Sequence, residues 1–293
     1  MRKIVDLARV DGESVPSAEA SLYGRVRAIQ RDHDLEDLAI AFYDYETGIQ
    51  WCYNAERPFH AASTMKLAVL LAVFRQAAGG VFSLDSPVQV RNRFTSIVDG
   101  SPFTLEVSRE DDSEIYSRIG KTMTVRELVH RMITSSSNLA TNLLVDVVTV
   151  PVIHETLKEL SIEGFRILRG VEDQAAFEAG LNNEVTATAL MQLLRSIADR
   201  RAYSDEACSQ MIEILHGQKH KSGIPAGLPS HARVAHKTGN IRTVHHDAGI
   251  VYIDGRRPFV LVVLTEFSPE SSRRGAVAEV SRDVYRLVAD ITP

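Results

Sequence analysis

The sequence predicts an α/β (α+β) fold in which an antiparallel sheet is flanked by helices and an all-helical domain is inserted in the middle. Three observations predict it: strand patterns occur only near the two ends of the chain, helical periods fill the span between, and no repeat, low-complexity tract or Pro/Gly-rich linker divides the sequence. Strands from both ends then share one sheet, and a second domain has to be inserted rather than appended. The expected division is 1–60 plus 218–293 as a discontinuous sheet domain and 61–217 as a mainly helical domain. The cleft is expected between the two, where binding pockets preferentially form.

The elements follow in order. Near the start, "LAIAFYDYE" and "IQWCYN" are joined at Thr47-Gly48, which reads as a hairpin. A helix is expected to begin at Ser63 and to close at Gly79-Gly80. Thr124 with Glu127 forms a capping box ahead of "LVHRMI". Helical periods continue through "NLATNLLVDVV", "PVIHETLKEL", "VTATALMQLLRSI" and "DEACSQMIEIL". Near the end, "HARVAHKTG" predicts a strand, and "DAGIVYI" and "PFVLVVLTEF" flank Asp254-Gly255, a strong hairpin signal. The last helix is expected to open with Ser268 as cap and Pro269 at the first helical position. It should lay Val277, Val280, Val284, Leu287 and Val288 on the sheet.

Composition excludes several function classes. At 293 residues with 44% hydrophobic content the chain is globular and can bury one large core or two moderate ones. The formal net charge is -5 and the basic residues are dispersed, which argues against a nucleic-acid partner. The longest apolar run is about half of the roughly 20 residues that cross a bilayer, so no membrane span is expected. In "MRKIVDLARVDGESV", Asp6, Arg9 and Asp11 interrupt what would be the apolar core of a signal peptide. That leaves a cytoplasmic protein, or a periplasmic or secreted one whose signal has been removed. Cys52 and Cys208 match no metal spacing and read as free thiols.

The stretch "HAASTMKLAVLLAVF" poses the chemical question: from Met65 to Phe74 the only side chain that is not apolar is Lys66. A helix apolar on every face is buried, and a buried ammonium costs several kcal/mol unless it is paired or its pKa falls. One reading makes Ser63 an N-cap and lets Lys66 snorkel outward. Positive charge in a first helical turn opposes the macrodipole, however. The other reading places the amine beside the Ser63 hydroxyl, three residues away on one helix face, as its base. Two further stretches supply polar groups. "ITSSSNLATNLL" sets Ser136, Ser137 and Asn138 between two helices, where cap chemistry alone explains them. "HKTGN" ends a strand with Lys237, Thr238 and Gly239, a weak signal by itself.

Together, Ser63-Thr64-Met65-Lys66, Ser136-Ser137-Asn138 and Lys237-Thr238-Gly239 resemble, in order and setting, the Ser-x-x-Lys, Ser-Asp-Asn and Lys-Thr-Gly motifs of class A β-lactamases and penicillin-binding proteins. "RGVEDQAAFEAGLNN" extends the resemblance, which covers most of the chain and implies a β-lactamase/transpeptidase-like fold. It also implies roles. Ser63 would be the nucleophile that forms an acyl-enzyme, and Lys66 the base that a weakly nucleophilic hydroxyl requires. Ser136 would shuttle a proton to the leaving nitrogen, and Asn138 would hold the substrate's side-chain amide. Lys237 and Thr238, with Gly239, would bind the substrate carboxylate. Backbone N–H groups of Ser63 and Asn240 would form the oxyanion hole.

Hydrolysis also needs a base for water, and the resemblance implies Glu172 on the loop after the second motif. A structural reading of Glu172, as partner of Arg169 or cap of a turn, stands beside it. Asp173 and Glu178 are weaker alternatives. The family has an asparagine four residues after its glutamate where this chain has Ala176; Asn182 and Asn183 come later and could fix the loop or the water instead. Ser137 replaces the motif's aspartate, and the long segment before Lys121 would form a rim made apolar by Phe94, Ile97 and Phe103. His216 with His220, and His245 and His246 with Asp247, raise a metal site, but no zinc-protease pattern surrounds them. No metal or other cofactor is expected.

The expected function is a serine β-lactamase-type hydrolase, acting on a small β-lactam or peptidoglycan-like substrate as a monomer. A DD-peptidase or esterase relative is the alternative, separated by slow deacylation. A non-catalytic β-lactam or peptidoglycan-fragment sensor is the third, and it would bind tightly without forming an ester.

Overall fold

A computed structural model describes residues 4–6, 17–269 and 275–291. The helices in chain order are α1 (Ser17–Asp32), α2 (Lys66–Ala78), α3 (Val125–Thr134), α4 (Asn138–Val148) and α5 (Val150–Glu159). They continue with α6 (Gln174–Glu178), α7 (Ala187–Ala198), α8 (Asp205–His216) and α9 (Ala276–Ile291). The chain divides into two compact units, one made of Met1–Thr64, Val185–Arg195 and His220–Pro293, the other of Met65–Glu184 and Ser196–Lys219.

The first unit is built on a six-stranded sheet. Its strands lie in the order Ile4–Asp6, Gln50–Tyr53, Leu35–Asp44, Phe259–Phe267, Val244–Tyr252 and Arg233–Ile241. All pairs are antiparallel except the first, where Ile4–Asp6 runs parallel to Gln50–Tyr53. Both expected hairpins form, and their turns need the left-handed backbone that glycine adopts freely: φ is +74° at Gly48 and +83° at Gly255.

One face of this sheet is covered by α1 and α9. Val277, Val280, Val284 and Val288 of α9 are buried in a single cluster with Ile40, Phe42, Leu261 and Val263 of the strands, and Leu287 packs against it half-buried. Leu22, Val26 and Ile29 of α1 join the same cluster. Their spacing of four and three residues is the helical period that the sequence reading passed over. The last helix starts later than expected: Pro269 sits in a turn, α9 begins at Ala276, and residues 270–274 lie outside the described residues. So does most of the N-terminal stretch read for a signal peptide.

In the second unit α2 is buried from Lys66 to Phe74. The expected capping box is present on α3: the Glu127 N–H donates to Thr124 Oγ1 at 3.1 Å, and the Thr124 N–H donates back to Glu127 Oε2 at 2.7 Å. α2 does not start with a Ser63 cap. Ser63 lies within a 3-10 turn, Ala62–Met65, and the residue preceding α2 is Met65, which offers no capping side chain. Strands also occur in this unit, contrary to expectation. Pro87–Gln89 pairs with Thr122–Thr124, and Phe94–Thr95 pairs with Pro102–Phe103. Segments of two or three residues are too short to show a period of two, so the pattern had nothing to reveal.

Candidate active site

Ser63 sits on a turn fastened by its own hydrogen bonds and by one from the adjacent strand. Ala62 has φ +45°, a conformation that costs a non-glycine residue energy and persists only when its neighbours impose it. Three contacts impose it. The Ala62 N–H donates to His60 Nδ1 at 3.1 Å, and Thr64 donates to the Ala61 carbonyl from its N–H at 3.0 Å and from Oγ1 at 2.6 Å. His246 on the adjacent strand donates from Nε2 to the His60 carbonyl at 3.0 Å. Of residues 61–74, Ser63 is the only one that is not buried.

The Arg233–Ile241 strand approaches the same turn. A methyl at Gly239 would lie 3.0 Å from Thr64 Cγ2 and 3.3 Å from the Ala61 carbonyl oxygen, so glycine is what lets strand and turn meet. Lys237 and Thr238 are buried beside it, with Lys237 Nζ donating to the Thr238 carbonyl at 3.0 Å, while Asn240 is exposed. Thus Ser63 and the Lys237–Asn240 segment are brought together within the first unit.

The second unit gathers the other candidates. Lys66 is fully buried, and its amine faces three oxygens: the Ser136 carbonyl at 2.6 Å, Asn138 Oδ1 at 2.8 Å and Ser136 Oγ at 3.2 Å. It does not snorkel. This shell satisfies both protonation states. An ammonium donates to all three oxygens; a neutral amine donates to the two carbonyl oxygens and keeps its lone pair for the Ser136 hydroxyl. Burial pulls the amine down to about 8, against the carboxylates of Glu110, Asp111 and Glu172, which hold its proton. Chain connectivity links the two groups, since Lys66 follows Ser63 by three residues.

Glu172 belongs to the same cluster rather than to Arg169. Its Oε1 accepts from Asn138 Nδ2 at 2.6 Å, and its φ of +61° marks a constrained backbone. Arg169 instead donates to the Leu181 and Gly170 carbonyls and to Asn182 Oδ1. The loop bearing Glu172 is fastened in two places. Asn183 accepts from the Leu168 and Arg169 N–H groups and donates to the Arg169 carbonyl. Asn142, one turn after Asn138 on α4, exchanges bonds with the Val171 backbone, donating at 2.9 Å and accepting at 2.7 Å. Asn183 therefore fastens the loop together with Asn142, while Asn182 only accepts from the Arg169 guanidinium. Asp173 caps α6 by accepting from the Ala176 N–H and binds Ser96 and the Ile97 N–H, which gives it a structural part. Glu178 pairs with Gln174 on the surface.

Ser137 caps α4, its hydroxyl accepting from the Ala140 N–H at 3.2 Å. The sequence reading missed Glu110, whose carboxylate accepts from the Asn138 and Leu139 N–H groups at the same helix end. Phe94 and Phe103, expected to make a rim apolar, pack ring to ring with centroids 5.9 Å apart, while Ile97 is exposed. His236, not His245 or His246, is the partner of Asp247, at 2.9 Å in a buried pair. Among the described residues no group of three or more His, Cys, Asp or Glu side chains is placed to hold a metal ion.

Comparison with known proteins matches residues 21–288 to the sequence model of the Beta-lactamase enzyme family. A β-lactamase of Bacteroides uniformis is 28% identical over 250 residues, covering 80% of each chain. A β-lactamase of Streptomyces fradiae is 27% identical over 286 residues, covering 94% of this chain and 89% of its own. Among solved structures, a β-lactamase from Xanthomonas campestris pv. campestris superposes with a TM-score of 0.81 at 23% identity, over 94% of this chain and 100% of that one. No helix of the described residues is long and apolar enough to cross a membrane.

Proposed function

The chain belongs to the Beta-lactamase enzyme family, and on that premise we propose that it opens β-lactam amides through an ester formed on Ser63. The observation that carries this reading is the buried Lys66 amine, whose pKa burial lowers to about 8 and which is placed three residues after the one accessible residue of its segment.

The reaction runs in two halves. In the first, the Ser63 hydroxyl attacks the lactam carbonyl carbon while Lys66 takes its proton, and the backbone N–H groups of Ser63 and Asn240 receive the developing oxyanion. The C–N bond then breaks, and the ring nitrogen takes a proton through the Ser136 hydroxyl, which lies 3.2 Å from the Lys66 amine. Asn138 holds the substrate's side-chain amide, and Lys237, Thr238 and Gly239 hold its carboxylate. In the second half Glu172 removes a proton from water as it attacks the ester; the Ser63–acyl bond then breaks and the leaving Ser63 oxygen takes up that proton, freeing Ser63, Glu172 and the opened acid. The Glu172 loop, fixed by Asn142 and Asn183, keeps that carboxylate within 2.6 Å of the Asn138 amide nitrogen.

The test is an intact-mass time course after mixing with a simple penicillin, with Ser63→Ala alongside. A transient adduct on the wild type, absent from the variant and followed by opened drug, supports the reading. A persistent adduct replaces hydrolysis by peptidase-like or esterase-like acylation, and no adduct overturns it.

A further inference from the structure

We infer that Glu110 is a positioning residue of the reaction proposed above: its carboxylate fixes Asn138, the amide on which Lys66 and Glu172 converge. The inference rests on that reading and on a geometry found in this chain. α4 begins at Asn138, and the first N–H groups of a helix have no partner within it. The Ser137 hydroxyl satisfies the Ala140 N–H, and its carbonyl the Thr141 N–H. Glu110 satisfies the two before these: Oε1 and Oε2 each lie 3.0 Å from the Asn138 N–H nitrogen, and Oε2 lies 2.9 Å from that of Leu139. Ser135, Ser136 and Ser137 offer no carboxylate here, so the anion that suits a helix N-terminus arrives from 28 residues upstream.

The segment carrying Glu110 is itself anchored. Arg131 Nη1 donates to both oxygens of the buried Asp112 at 2.7 and 2.8 Å, which ties the segment to α3. Glu110 holds the Asn138 backbone, and the Asn138 side chain has one workable orientation. Oδ1 accepts from Lys66 at 2.8 Å and Nδ2 donates to Glu172 at 2.6 Å; the flipped amide would set donor against donor and acceptor against acceptor. Glu110 also faces Lys66 electrostatically, together with Asp111 and Glu172, and the Tyr116 phenol faces Glu110 and Glu172.

Glu110→Gln keeps the shape of the side chain and removes its charge; Glu110→Asp keeps the charge and shortens the reach. The Lys66 amine is titrated by NMR in lysine-labelled protein, with Lys66→Arg assigning the signal, and the pH profile of acylation by a penicillin is measured in parallel. Glu110→Gln is expected to move the Lys66 titration to lower pH by about half a unit or more, as loss of a neighbouring carboxylate demands. Its acylation plateau should fall about tenfold, since a misplaced catalytic group costs up to about a hundredfold. Glu110→Asp should restore the titration and part of the rate. A fallen plateau with an unmoved titration makes Glu110 merely structural and overturns the inference, as does a variant indistinguishable from wild type. A wild type that forms no adduct overturns the hydrolase reading instead, and the titration then decides the part played by Glu110 alone. If Glu110→Gln melts before it can be titrated, Glu110→Asp carries the test: its titration has to stay at the wild-type position because the charge is kept, and an acylation plateau equal to the wild type's overturns the inference.

Discussion

His246 accepts the Thr265 N–H at Nδ1 and donates from Nε2 to the His60 carbonyl, so the imidazole is fixed as the neutral Nε2–H tautomer at the centre of the first unit. Burial pulls its pKa down to about 3 from 6.5. The unfolded chain therefore binds a proton that the folded chain refuses between those values, and stability rises with pH across that window. Acidification from pH 6.5 to pH 4 should remove on the order of 3 kcal/mol through this residue. Urea unfolding across that range should show the slope in the wild type and lose it in His246→Gln. An equal slope in both would assign acid sensitivity elsewhere.

Lys66 predicts the opposite end of the scale. Its amine is held at about 8 instead of 10.5, so between those values the unfolded state binds the extra proton and stability again climbs with pH. Compared with Lys66→Met, the wild type should gain about 3 kcal/mol between pH 8 and pH 10.5. Acylation should respond too: Lys66→Ala is expected to slow it about a hundredfold or more, as loss of a general base does. Stopped-flow acylation at an unchanged rate would remove Lys66 from the chemistry.

Gly170 tests the fastening of the Glu172 loop. A β-carbon there would sit 2.2 Å from Asn142 Oδ1, inside any tolerable contact, and would break the paired bonds to Val171. Gly170→Ala should lose about 1–3 kcal/mol of stability. It should also lengthen the life of the acyl-enzyme more than it slows its formation, because the displaced loop carries Glu172, the carboxylate proposed to activate the deacylating water. Equal effects on both rates, read by mass spectrometry, would contradict this.

Thr124→Ala removes the hydroxyl that accepts the Glu127 N–H and leaves half of the capping box. The expected loss is about 1 kcal/mol, measurable as a lowered melting temperature with acylation unaffected.

How much of this could be read in the residues depended on whether the signal was local. The α9 stripe, the Thr124–Glu127 box and the two glycine hairpins are determined by neighbours within a few positions, and each formed where the pattern placed it. Lys66 announced itself because one cation interrupts an unbroken apolar run. Glu110 announced nothing. Its partners are main-chain groups at Asn138 and Leu139, which every sequence possesses, and it stands among other acids in an irregular segment. Asn142 was hidden for the same reason, since its partner is the backbone of Val171. α1 was legible in Leu22, Val26 and Ile29, but the charged residues between them obscured the period.

The shared amide of Asn138 has a kinetic consequence. In the proposed reaction Lys66 serves the making of the ester and Glu172 its breaking, and both lean on opposite ends of one carboxamide. Loosening that side chain slows the two halves together, so turnover at this position has no route to trading capture of a drug against its release. Variants selected for altered substrate range should leave residue 138 untouched.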